Sequence, residues 1–330
     1  NASFTMKNGV ISENTAGHGG GVYTRYNASF TMESGTISGN TTLTSAGVGG
    51  GVYSDGPFTM SGGTISGNTA GFRGGGIYSA ATNHSGVTIT INRGTISGNT
   101  ARNGGGVYSL GPFIMNDSEV SGNTATETDG GGVVVTSDSV MNGSTISGNS
   151  ASRHGGGVYI SSATFTMESD TISGNTATGY GGGVCVWNGT FVMESGTISE
   201  NTADLRGGGF YLQNSVLSIS GGIITGNSAG YTGGGILCYT YSSVTLSGNP
   251  VVSGNSSAYG DAAGNGAEDN VSLTGNGYWY PFITLDGLTD GAYIGISAYK
   301  DWNNWIEPTF DAPVQFTEKE TNTSFYADSA

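Results

Sequence analysis

Glu168, Asp170 and Glu194 are the residues whose type and spacing come nearest to acid–base chemistry. Glu194 follows Glu168 by 26 residues, and Asp170 follows it by two. Stacked carboxylates about 5 Å apart raise one another's pKa or hold a hard cation such as Ca2+. Two carboxyl groups about 5–9 Å apart are the spacing of glycoside hydrolysis. Such chemistry needs a cleft, yet the connecting segments are short, as in SDGP at 54–57 and ISSAT at 160–164. No basic residue faces the acids. The three histidines (His18, His84, His154) are scattered in turns at no metal-ligand spacing, although His18 and His154 both precede a glycine triplet. No Ser-His-Asp or Cys-His pattern can be built from them. The expectation is no assigned catalytic residue, no metal site and no cofactor. Glu168, Glu194 and Asp170 are the candidates an enzyme would use, and Ca2+ is the ion an acidic edge would suit.

Binding chemistry is better represented. Tyr23, Tyr53, Tyr78, Tyr108, Tyr159 and Tyr211 recur at one position, interrupted by Val134, Cys185 and Leu237. A wall of exposed tyrosines can stack on sugar rings or anchor a protein partner; the alternative is cross-strand stacking that stabilises a sheet. Trp279, Trp302 and Trp305 form a second aromatic group near the C-terminus, suited to a sugar site or to packing. Thr-x-Ser pairs recur at Thr36/Ser38, Thr64/Ser66, Thr95/Ser97, Thr145/Ser147, Thr171/Ser173 and Thr197/Ser199, broken by Glu119, Ile223 and Val251. On a flat sheet such rows resemble the hydroxyl arrays of ice-binding solenoids, or are simply a solvated face.

All these residues ride on one repeat. An Ile-x-x-Asn box places Asn at 14, 40, 68, 99, 123, 149, 175, 201, 227 and 255, and a Gly-Gly-Gly-apolar box recurs with it. A period of about 26 residues means stacked supersecondary units, each touching its neighbours. In the copy GGGVYISSATFTMESDTISGNTA (155–177) there are three short β-like runs bounded by turn formers: Val158-Tyr159-Ile160, Phe165-Thr166-Met167 and Thr171-Ile172-Ser173. Three strands per unit predict one coil of a parallel β-helix. Alternation turns Val22, Val52, Ile77 and their equivalents inward in strand one. It does the same for Phe30/Met32 and equivalents in strand two, and for Ile11, Ile37, Ile65 and equivalents in strand three. The recurrent Asn is expected to turn the corner in the left-handed conformation and to form an amide ladder. The glycine triplets serve backbone approaches that a Cβ would forbid; none is followed by Lys-Ser/Thr or a helix, so they are not phosphate loops. The absence of 3.6-residue periodicity excludes an α-solenoid.

Composition narrows the partners. Nine Lys plus Arg against 24 Asp plus Glu give a net charge of −15, which argues against nucleic acid or an anionic membrane surface. No apolar run approaches the roughly 20 residues of a membrane span. Cys185 and Cys238 fall two repeats apart, roughly 10 Å at the inter-strand spacing, beyond the disulfide limit of about 7 Å. Both are expected as free thiols, Cys185 exposed on the wall and Cys238 inward. The chain starts inside a repeat, so a longer parent protein is expected. After Asn255 the pattern breaks, and residues 257–330 are expected as irregular last coils and a C-terminal β cap on the 1–256 repeat domain. The strand-like runs there are Val271–Thr274, Pro281–Leu285, Ala292–Ala298 and Val314–Thr317.

The paired boxes, as in TISGNTAGFRGGGIYS (64–79) and TISGNTATGYGGGVCV (171–186), resemble the repeats of bacterial right-handed β-helix surface proteins. These include the polymorphic outer-membrane-protein and adhesin-like families, with a Gly-Gly-Ala-apolar box and a Phe-x-x-Asn box. Here the boxes read Gly-Gly-Gly and Ile-x-x-Asn, over about 1–256. The resemblance implies a bacterial, extracellular or cell-surface protein in an adhesin or display role, binding a glycan or a host protein; it transfers no catalytic residue. The overall expectation is an all-β, right-handed, single-stranded parallel β-helix of about ten coils. Its function would be adhesin-like or structural, with a polysaccharide lyase or hydrolase, an ice binder or a pure spacer as alternatives.

Overall fold

The computed structural model of the chain describes residues 2–25, 28–80, 87–258, 267–274, 281–289, 292–298 and 324–327. Among them every regular element is a strand. The expected coil is present throughout. In one copy its strands are Val158–Ser161, Thr164–Met167 and Asp170–Ser173. To these the structure adds a fourth strand of two residues, Thr176–Ala177, directly after the corner Asn. Each strand pairs in parallel with its equivalents in neighbouring coils and in strict register, for example Val158↔Val184, Phe165↔Phe191, Ile172↔Ile198 and Thr176↔Thr202. Four walls result, here called the Val-Tyr, Phe-x-Met, Thr-Ile-Ser and Thr-Ala sheets.

The core follows from alternation. Outward and inward positions exchange at every residue of a strand, so one or two inward residues per short strand are stacked on their equivalents. Phe30, Phe58, Phe113, Phe165 and Phe191 are fully buried, as are Met32, Met60, Met115, Met167 and Met193 and the Ile of each Thr-Ile-Ser strand from Ile37 to Ile198. The phenyl rings stack along the axis, Phe30 on Phe58 at 4.9 Å and Phe165 on Phe191 at 5.5 Å. Phe210, which replaces Val on the opposite wall, meets Phe191 edge-on at 4.9 Å. Each such side chain contributes about 2–3 kcal/mol through burial.

At the Thr-Ile-Ser to Thr-Ala corner stands the asparagine ladder. Asn149 is fully buried. Its Oδ1 accepts from the backbone N–H of Asn123 at 2.9 Å and from the Asn123 amide at 3.0 Å. Its own amide donates to Asn175 Oδ1 at 2.9 Å and to the Val120 carbonyl at 3.0 Å. The pattern runs from Asn14 to Asn255 and on to Asn270. The left-handed backbone, however, does not belong to the Asn. It belongs to the residue before it: Gly39 (φ 64°), Gly122 (φ 61°), Gly174 (φ 62°) and, without glycine, Glu13 (φ 58°) and Glu200 (φ 57°). The Asn must keep an ordinary conformation because its side chain points into the stack, so the chain reverses one residue earlier.

The glycine triplets close the coil where walls crowd. A Cβ on Gly131 would lie 2.5 Å from the carbonyl oxygens of Gly156 and Ser150, a contact no side chain can make.

Beyond Asn255 the walls continue. Val271–Thr274 extends the Val-Tyr sheet, Phe282–Leu288 the Phe-x-Met sheet and Tyr293–Ala298 the Thr-Ile-Ser sheet. These three strands match three of the four runs expected there; Val314–Thr317 lies outside the described residues. The Val-Tyr and Thr-Ile-Ser walls join here through Ser272↔Ser297, and Ser256–Ser257 pairs antiparallel with Ala267–Glu268.

Candidate functional site

The tyrosine position is the outward middle of the Val-Tyr strands, and parallel register stacks it: Tyr23↔Tyr53, Tyr53↔Tyr78, Tyr78↔Tyr108. Ring centroids are 4.6, 5.6 and 5.8 Å apart. The wall is not the open surface the sequence suggested. Tyr23 is 44% exposed, but Tyr78, Tyr108 and Tyr211 are 8%, 7% and 3% exposed, with Tyr53 and Tyr159 half-buried. A second apolar layer forms outside the sheet. Around Tyr78 and Tyr108 it includes Val48, Val134, Phe72 and Leu110; around Tyr211 it includes Cys185, Leu237, Tyr180, Trp187 and Tyr239. Cys185 is therefore buried rather than wall-exposed, because Tyr159, Tyr180 and Tyr211 close over the gap that its small side chain leaves in the ladder. Cys238 is inward, in the main core, and both thiols are free.

Much of the cover comes from one repeat position, the residue immediately before each glycine triplet. It reads His18, Val48, Arg73, Asn103, Asp129, His154, Tyr180, Arg206 and Thr232. The first glycine of each triplet is left-handed (Gly130, φ 68°), which turns this preceding residue onto the edge of the wall. Arg73 lies over the rings of Phe72 and Tyr108 at 4.5 and 4.7 Å. His154 stacks on Tyr180 at 4.7 Å and on Trp187 at 6.4 Å; Tyr180 stacks on Tyr211 at 4.5 Å, and Tyr211 on Tyr239 at 6.2 Å. The shared repeat position of His18 and His154 was the one sequence signal of this rank. Its role as cover shows only once coils are stacked.

Burial sets the electrostatics of the face. The Tyr53 phenol is raised to about 12 by desolvation, with the neighbouring Tyr23 adding to it. Desolvation likewise raises Tyr78, Tyr108, Tyr159 and Tyr211, so all five are neutral donors at ordinary pH. Burial lowers His154 to about 4, aided by Arg153, and its Nδ1 accepts the Tyr180 N–H at 3.1 Å. Burial raises the Asp129 carboxyl, and Arg153 opposes that shift.

The acidic candidates sit on another wall. Asp170 is only 2% exposed, which removes it from the solvent edge where it was expected. Its oxygens accept the backbone N–H groups of Ser144 (2.6 Å), Glu168 (3.0 Å) and Ser169 (3.3 Å); it holds the turn between the Phe-x-Met and Thr-Ile-Ser strands. Burial raises its pKa against the pull of those bonds. Glu168 accepts the amide of Asn142, and at the same repeat position two coils earlier Asn116 donates to Asn92 at 2.8 Å. Glu194 follows one coil on, exposed. No group of three or more His, Cys, Asp or Glu is gathered for a metal among the described residues. The Thr-x-Ser rows fall in register on the Thr-Ile-Ser wall, with Glu119 and Ile223 in line with the threonines and Ile223 43% exposed. Trp279, Trp302, Trp305 and His84 lie outside the described residues.

Residues 77–195 match the family model described as the right-handed β-helix region. No curated protein and no solved structure matches the chain. Over its central coils the chain is similar to right-handed β-helix proteins, and the described residues form an all-β, right-handed parallel β-solenoid of about ten turns.

Proposed function

We propose that this protein is a non-catalytic, extracellular solenoid that binds a glycan along its Val-Tyr face. The observation that carries the reading is the aromatic clustering on that one wall: an in-register ladder through Tyr53, and a second stack in which Tyr180 lies on Tyr211 from a different repeat position, with half-buried rings at Tyr53, Tyr159, Tyr180, Trp187 and Tyr239. A rank of Arg, Asn, Asp and His runs beside them. Aromatic platforms beside a few fixed polar groups are the recognition chemistry of saccharides, and the solenoid supplies rigidity that lowers the ordering cost of binding. The resemblance of the boxes to bacterial surface repeats supports a bacterial surface location, where a host or cell-surface protein is the other partner this face would suit. A glycan array probed with the 330-residue chain tests the reading. Selective hits weakened by Tyr159→Ala and Trp187→Ala support it; an array without hits refutes it.

A purely structural role is favoured by the burial of Tyr78, Tyr108 and Tyr211, and predicts that Tyr159→Ala lowers stability without touching any binding. A carbohydrate-active enzyme would have to act through Glu168 and Glu194, since Asp170 is committed to backbone N–H groups. Polysaccharide turnover lost in Glu168→Gln would establish it.

A further inference from the structure

An asparagine followed by glycine is open to attack by its own backbone, because no Cβ stands beside the glycine nitrogen. Among the described residues the pair occurs at Asn8-Gly9, Asn103-Gly104, Asn142-Gly143 and Asn188-Gly189. In three of these the glycine N–H is engaged. Gly9 donates to Asn8 Oδ1 at 2.8 Å, Gly104 to the Asp129 carbonyl at 2.9 Å and Gly189 to Ser215 Oγ at 3.2 Å. The Gly143 N–H has no hydrogen-bond partner.

The reason lies in the stacking of one turn, between the Phe-x-Met and Thr-Ile-Ser strands. Its left-handed residue is Arg93 (φ 54°), then Asp117 (φ 45°), then Gly143 (φ 61°), each preceded by an asparagine. The Arg93 N–H donates to the Asn116 carbonyl and the Asp117 N–H to the Asn142 carbonyl, both at 3.0 Å. The next acceptor in line, the Glu168 carbonyl, takes the Ser195 hydroxyl instead, and the ladder stops at Gly143. Asn142 and Gly143 are both exposed, and the Asn142 side chain is held by one hydrogen bond, from Nδ2 to the Glu168 carboxylate.

We propose that Asn142 is a site of spontaneous modification. The Gly143 nitrogen attacks the Asn142 side-chain carbonyl carbon and forms a C–N bond. The Cγ–Nδ2 bond breaks, and ammonia leaves with the Gly143 proton. Water then opens the succinimide at either carbonyl, leaving aspartate or isoaspartate, with no other reactant needed. Aspartate sets a second carboxylate against Glu168 where an amide donor stood. Isoaspartate routes the chain through the side chain, so the carbonyl that accepts the Asp117 N–H leaves the backbone. Both products weaken the contact between neighbouring coils at this corner.

The experiment holds the folded 330-residue chain in warm, mildly alkaline buffer, which favours the deprotonated amide. Peptide mass mapping follows each asparagine, and labelling by protein isoaspartate methyltransferase reports the rearranged product. Conversion at Asn142 should run about tenfold faster than at Asn103 and Asn188, whose following N–H must first give up a hydrogen bond. Asn92 and Asn116, at the same repeat position, should stay intact. Hydrogen exchange at the Asp117 amide should quicken as the parent chain ages and stay constant in Asn142→Gln, which keeps a donor but lengthens the side chain past ring closure. Conversion at Asn142 no faster than at Asn103 or Asn188, or seen only once urea has unfolded the chain, overturns the proposal.

Discussion

Replacing Asn149 by alanine tests the asparagine ladder in the middle of the solenoid. The substitution deletes an acceptor that serves two donors, the Asn123 N–H at 2.9 Å and the Asn123 amide at 3.0 Å. It also deletes the donor to the Val120 carbonyl at 3.0 Å. Asn175 Oδ1 keeps one of its two donors, the backbone N–H of residue 149 at 2.9 Å. Two N–H groups are thus orphaned in a site with no access to water, at about 1–3 kcal/mol each, and with the weakened carbonyl the loss is about 3–5 kcal/mol. Asn14→Ala is the internal control. Asn14 is exposed, and Asn40 Oδ1 retains the Asn14 backbone N–H at 3.0 Å after the side chain is gone, so that change costs below about 1 kcal/mol. Urea unfolding followed by far-ultraviolet circular dichroism gives the two losses. Because a solenoid is held by nearest-neighbour interfaces, hydrogen exchange of the coils carrying Asn123, Asn149 and Asn175 should show protection lost there first. A loss below about 1 kcal/mol for Asn149→Ala, or one equal to that of Asn14→Ala, would refute the claim that the ladder carries more than ordinary hydrogen-bond energy.

Gly131→Ala should prevent or severely weaken folding, since the new Cβ would lie 2.5 Å from two carbonyl oxygens. Gly122→Ala meets nothing within 4 Å and pays only for φ 61°, about 1–2 kcal/mol; equal effects in thermal melts would contradict this. His154 has a folded pKa of about 4 against 6.5, so the unfolded chain binds the proton first. Stability should therefore be complete above pH 6.5 and fall by roughly 2–3 kcal/mol as pH drops from 6.5 to about 4. His154→Phe should flatten that segment of the curve, and an unchanged slope would show that other groups cause it. Neither Cys185 nor Cys238 should react with a thiol reagent before unfolding, as both are fully buried and burial raises both thiols; one titratable thiol in the native protein would place Cys185 back on the surface.

The period, the coil, the inward residues and the existence of the Asn ladder are legible in the residues alone. All of these follow from strict local alternation repeated at a fixed interval, so that any one coil predicts its neighbours. The sequence could not place the left-handed residue, because Glu13 and Glu200 occupy a conformation their type disfavours and glycine holds it elsewhere. The two-residue Thr-Ala strand is too short to carry a period of its own and is defined by pairing with the coils on either side. What the outward residues do follows from how the coils stack. Whether Tyr78 faces water depends on where residues 73 and 108, from its own coil and the next, lay their side chains, and whether Asp170 is an acid or a turn clamp depends on which N–H groups the next strand brings within reach. Those are contacts between coils, set by stacking offset and side-chain length rather than by any pattern within a coil. The inward face of a solenoid was therefore legible in its repeat. The outer face, where a ligand would bind, was not, because it is assembled from differences between one repeat and the next.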